Sequence, residues 1–174
     1  MKKNSSSVNI LVIINVLICM FVLCNFTGCY SFTGGTVPEH LKTLQVDNVN
    51  DVSGYGVPRY REELTLSLVN RFEKDNTFSL AQRNGNARLT VSILSITDAT
   101  LTVRPGEVES QRRISVNCEA EYYDAVKQKS IWKQNFTNAE IYDVSNLQEG
   151  RNSAVKIALE RLTDDIFLAV ISGW

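Results

Sequence analysis

Four cysteines and a single histidine are the residues of this sequence best suited to covalent or metal chemistry, and their placement argues against most of it. His40 has no cysteine or second histidine near it in the chain, whereas a zinc site draws on several nitrogen or sulfur ligands. Cys118 sits in an alternating run with apolar residues, which predicts a buried, inert thiol and not a nucleophile. Cys19 and Cys24 belong to an apolar N-terminal stretch and read as filler. Glu62-Glu63 and Asp164-Asp165 are adjacent in helical patterns, about 100° apart around the axis, so they suit helix-dipole and solubility charges better than an acid/base pair. There is no glycine-rich phosphate loop and no serine nucleophile elbow. The expectation is a non-enzyme with no cofactor and no metal.

Cys29 is different. Lys2 and Lys3 precede an apolar run from Ile10 to Leu23, interrupted only by Asn15. That run falls short of the roughly 20 residues a membrane-spanning helix needs, and it is laid out as a cleavable secretory leader. Phe26-Thr27-Gly28-Cys29 resembles a bacterial lipobox, with small Gly28 before the thiol and Phe26 where leucine is usual. In precursors of that kind the cysteine receives a diacylglyceryl group on sulfur and becomes the mature N-terminus. The implied organisation is a signal peptide over 1–28, a lipidated tether over 29–38 and a folded domain over 39–174. Each buried methylene of an acyl chain contributes about 0.8 kcal/mol, so two or three chains anchor firmly. Tyr30 stands where an aspartate would signal inner-membrane retention, and no acidic cluster follows the cysteine. Both features point to the outer membrane, on its periplasmic side. With Cys29 acylated, Cys118 has no intrachain disulfide partner.

The charge balance narrows the partners. Eighteen Lys and Arg against nineteen Asp and Glu give a net charge of −1, which removes the electrostatic case for nucleic acid. Losing the leader removes two positive charges and no negative one.

Periodicity supplies the elements that would position any site. Leu41–Val49 alternates as a strand, with Leu44 and Val46 on one side, and 50–56 is a loop by composition. After Pro58, Tyr60, Leu64, Leu68 and Phe72 recur every four residues on a helix closed by Asp75-Asn76, and Leu66 and Val69 are expected to widen its apolar stripe. Thr77–Gln82 reads as a short strand and Asn84-Gly85-Asn86 as a turn. Leu89, Val91 and Ile93 alternate on the next strand, which extends to Val103 with a register shift around Asp98-Ala99-Thr100. Arg104-Pro105-Gly106-Glu107 forms a hairpin tip. On the returning strand Ile114, Val116, Cys118, Ala120 and Tyr122 share one face, and Arg113, Ser115, Asn117, Glu119 and Glu121 the other. A second hairpin over 124–130 leads to a strand over 131–142. Ser145-Asn146-Leu147-Gln148 resembles a capping box, but Gly150 argues for a later start of the last helix, near Asn152 or Ser153, and Val155, Leu159, Leu162 and Ile166 form its buried stripe. This order predicts an α+β two-layer sandwich, with a four- or five-stranded mixed or antiparallel sheet and two helices on one face.

Lipobox, tether, strand, amphipathic helix, long hairpin and final helix together resemble the LptE family of lipopolysaccharide-assembly lipoproteins. The carriers are Gly28-Cys29-Tyr30-Ser31-Phe32, Pro38 to Leu44, Tyr60 to Phe72, Ile114 to Tyr122 and Ser130-Ile131-Trp132. The resemblance implies a plug within the LptD β-barrel that helps the barrel assemble and assists delivery of lipopolysaccharide to the outer leaflet. The polar strand face from Arg113 to Glu121 suits a polar lumen, and it equally suits a solvated face of any secreted domain. Lipopolysaccharide carries phosphates, for which arginine is a natural partner. Arg104 at the hairpin tip, with Arg112 and Arg113 on the returning strand, are the candidate phosphate contacts. A periplasmic adaptor lipoprotein that binds or regulates a cell-envelope enzyme stays open as the alternative.

Overall fold

The computed structural model describes residues 37–101 and 110–172. The proposed leader, Cys29 and the hairpin tip with Arg104 lie outside them.

The first strand pattern is realised in two pieces, β1 (Thr43–Val46) and β2 (Asn50–Asp51). Between them the chain leaves the regular ladder: the Asp47 amide donates to the Leu89 carbonyl, and the Val49 amide to Thr65 Oγ1 at 3.0 Å. Helix α1 (Arg59–Asp75) follows Pro58, and Asn76 ends it in the left-handed region (φ 59°), its amide donating to the Phe72 carbonyl. Tyr60, Leu64, Leu68 and Phe72 are buried as their four-residue spacing requires. Leu66 departs from expectation and is 61% exposed. Two residues from Leu64 is more than half a turn around the helix, so Leu66 faces away from the core. Val69 is half-buried.

After the short β3 (Ser79–Leu80), three long strands form the body of the sheet: β4 (Ala87–Thr100), β5 (Gln111–Asp124) and β6 (Lys129–Asp143). The strand order is β3-β1-β4-β5-β6, with β2 also pairing β4. The β4–β5–β6 ladder is antiparallel, whereas β1 runs parallel to both β3 and β4. The register shift of β4 falls between Ile93 and Ser95, earlier than the sequence suggests. Its effect is specific. The buried set switches from the odd residues Leu89, Val91 and Ile93 to Ile96, and Asp98 comes opposite Ile114 on the covered face.

A short 3₁₀ turn (Val144–Asn146) leads into α2 (Leu147–Ser172), which begins about one and a half turns before the expected start. Gly150 lies within the helix because the backbone passes close to β6: a Cβ there would stand 3.1 Å from both the Asp143 carbonyl oxygen and Tyr142 Cδ2. The helix and sheet layers share one apolar cluster, including Leu44, Leu68, Phe72, Ile93, Val116, Leu162 and Phe167. The Phe72 ring makes edge contacts with Phe78 (6.2 Å) and Phe167 (5.2 Å). Arg71 lies 3.6 Å above the Phe167 ring centroid and pairs with Asp164 at 2.9 Å, joining α1 to α2. The result is the α+β two-layer sandwich, with six strands once β2 and β3 are counted.

Candidate functional site

Strand alternation gives the sheet a second face. Arg113 is exposed on it, and Ser115, Asn117, Glu119 and Glu121 follow it along β5 at intermediate burial. Register brings Thr97, Ser95 and Ser92 of β4 to one side of this row, and Ala139, Thr137, Asn135 and Lys133 of β6 to the other. Thr137 Oγ1 donates to Asn117 Oδ1 at 3.2 Å, and Lys133 pairs with Glu119 at 2.8 Å. Toward β1, Asp47 accepts from Gln45 and Thr90, and the Arg88 guanidinium stands 5.1 Å from the Tyr123 ring centroid. This is a broad surface of hydroxyl and amide groups with charges of both signs. Such a surface can hydrogen-bond a polar wall or carbohydrate along its length and carries no strong field.

The three arginine candidates do not form one cluster within the described residues. Arg112 and Arg113 are neighbours on β5 and therefore leave it on opposite faces. Arg113 stands on the open face. Arg112 turns to the helix side, where it pairs with Asp98 at 2.8 Å and also donates to the Asp98 carbonyl oxygen and Thr100 Oγ1. Arg104 lies outside the described residues.

Asp98 is the centre of a site that sequence reading missed. Its carboxylate accepts from Arg112 Nε on β5, from the Tyr142 hydroxyl on β6 (2.7 and 2.8 Å to its two oxygens) and from Arg151 Nε on α2 at 2.8 Å. Burial by itself would raise this carboxyl, but the hydrogen bonds from Arg112, Tyr142 and Arg151 outweigh it and hold the group below the ordinary carboxylate range. Only the early bulge in β4 brings Asp98 to this face, and the sequence signal misplaced that bulge.

His40 also acquires a definite partner. Its Nε2 lies 2.7 Å from Asp124 Oδ2, and Asp124 Oδ1 accepts from the Val126 and Lys127 amides of the β5–β6 turn. Burial would raise the Asp124 carboxyl, yet the Lys127 amide and His40 prevail and lower it. Cys118 is fully buried, and burial pushes its thiol up to about 12, with Asp51 adding to the shift.

The profile of the LptE family, described as lipopolysaccharide-assembly, matches residues 41–170, from the residue before Lys42 to the last buried position of α2. The chain belongs to this family. No curated protein matches it. Among solved structures it is similar to a minor lipoprotein from Acinetobacter baumannii, with 15% identity and a TM-score of 0.52 over 76% of this chain and 94% of that one. It is also similar to the rare lipoprotein B from Shewanella oneidensis, with 16% identity and a TM-score of 0.50 over 74% and 95%. A hypothetical protein from Chlamydia trachomatis shares the fold at 9% identity, with a TM-score of 0.57 over 74% and 94%. The family match therefore identifies a lipopolysaccharide-assembly protein, and the solved structures share its sandwich.

Proposed function

We propose that this chain is an outer-membrane lipoprotein, acylated at Cys29 and held on the periplasmic side, that plugs and helps assemble an LptD-type β-barrel and assists insertion of lipopolysaccharide into the outer leaflet. The observation that carries the reading is the open sheet face. Rows of Ser, Thr and Asn with paired charges offer a wall of barrel side chains many hydrogen bonds without a large desolvation penalty for unpaired ions. The helices cover the opposite face, so the sheet can meet a partner without exposing the core. No chemical step is required of any side chain in this role.

Lipopolysaccharide phosphates would meet Arg113 at the margin of the open face, and Arg104, which the sequence assigns to a hairpin tip outside the described residues, is proposed as a further contact. Arg112 contributes in this reading chiefly by holding Asp98, so its replacement is expected to affect folding as well as transport.

The test is capture of the lipoprotein from detergent-solubilised outer membranes. A large β-barrel at near-equal amount supports the plug. Depletion should lower both assembled barrel and surface lipopolysaccharide, and normal levels of both would remove the proposal. Recovery of a cell-wall enzyme without a barrel would support the adaptor reading instead.

A further inference from the structure

The end of the sheet that carries the β5–β6 turn is built around the point where the chain enters the domain. Val37 and Pro38 are half-buried, and the Pro38 carbonyl accepts from the Leu41 amide. His40 then meets Asp124 at 2.7 Å, and the same carboxylate holds the amides of Val126 and Lys127. The Ala125 amide donates to the Asn86 carbonyl, which fixes the turn to the neighbouring strand connection as well. One carboxylate thus ties the first residues of the domain to this turn.

Three lysines are exposed at that end. Lys42, Lys127 and Lys129 are exposed and take part in no ion pair among the described residues. Exposed Glu39 and buried Asp124, which His40 engages, accompany them, and α1 ends with exposed Glu73 and Asp75 just before Ser79, the partner of Thr43. Val126, beside Lys127 in the same turn, is 55% exposed. The opposite end of the sheet, where Asp143 pairs with Gln111 and Asn146 follows, has no comparable group of exposed lysines among the described residues.

We infer that the β5–β6 turn lies on the surface of the bilayer that holds Cys29, with Lys42, Lys127 and Lys129 against anionic phospholipid headgroups and Val126 at the headgroup boundary. The inference rests on acylation at Cys29. An extended chain covers about 3.3–3.6 Å per residue, so the stretch from Cys29 to Val37 reaches about 30 Å at most. That puts the leaflet within reach of this end of the domain, and attraction to an anionic surface acts over the last Debye length of about 8 Å. The contact selects which end of the sandwich faces the membrane.

The experiment uses the acylated mature lipoprotein without a barrel, its acyl chains verified by intact mass. It is reconstituted in vesicles of phosphatidylethanolamine and phosphatidylglycerol, and separately in phosphatidylcholine. An environment-sensitive dye is placed at Val126→Cys or, at the far end, at Asn146→Cys. The expected result is a blue-shifted emission, quenched by headgroup-labelled nitroxide lipid, at position 126 alone and only in the anionic vesicles. K127E/K129E should remove at least half of that quenching. Equal signals at both positions, or quenching at 126 that K127E/K129E leaves unchanged, would overturn the contact while acylation stands. A mass without acyl chains would overturn the anchor, and the inference with it.

Discussion

Asp98 is the residue on which most of the sandwich's polar geometry depends. Its carboxylate receives hydrogen bonds from β5, β6 and α2 at once, and two of the donors are guanidinium groups. Removing one partner of this part-buried charged set leaves the others less well compensated. Asp98→Asn is therefore expected to destabilise the domain by about 3 kcal/mol, read as the urea midpoint of unfolding. The pH dependence has a definite sign. Because the folded carboxyl lies below its unfolded value, its stabilisation is fully present at neutral pH. It is lost as pH falls below about 4, the ordinary carboxylate range, and on through the lowered folded value. Asp98→Asn should flatten that acid limb, and an unchanged limb would show that Asp98 is not the group responsible. Cys118 makes a second expectation at this scale. A fully buried thiol raised to about 12 should resist alkylation at neutral pH in the folded protein and react after unfolding in denaturant.

The elements owe their positions to a few close approaches. Gly→Ala in an open helix usually adds up to about 1 kcal/mol, but at Gly150 the new methyl would press on the Asp143 carbonyl and the Tyr142 ring. Gly150→Ala should consequently lower the thermal midpoint, and a raised midpoint would show that α2 can shift away from β6. The two helices are joined by Phe72 and Phe167, with Arg71 over the second ring. Phe167→Ala should cost about 3–5 kcal/mol, measured by denaturant unfolding. Arg71→Ala should cost much less, because the Asp164 partner is largely exposed.

For the molecule as a whole, the division between a covered and an open face is what makes a docking role physically reasonable. Asn117 lies near the middle of the open face, between Ser95 and Thr137. A substitution there that leaves the core untouched should change stability by no more than about 0.5 kcal/mol. Asn117→Trp is expected to keep the thermal midpoint while reducing co-purification of the β-barrel. Undiminished barrel recovery would exclude this face as the contact.

Much of the architecture was legible in the chain, because apolar periodicity reports which face of an element is buried. The four-residue repeat from Tyr60 to Phe72, the alternation from Ile114 to Tyr122 and the stripe from Val155 to Ile166 all correspond to buried positions. Leader, thiol and elements in order also sufficed to suggest the family. Three features were decided only by tertiary structure. The bulge at Leu94 depends on which cross-strand pairs fit the core, so local composition placed it too late and left Asp98 unrecognised. The start of α2 depends on how closely a helix can approach β6, so a glycine that reads as a helix breaker instead permits the contact. Arg112 and Arg113, adjacent in sequence, were separated by the pleat, which turns one toward Asp98 on the helix side and the other toward the open face. Periodicity records burial along one element; register, approach and pairing are set between elements, where a single sequence carries no local signal.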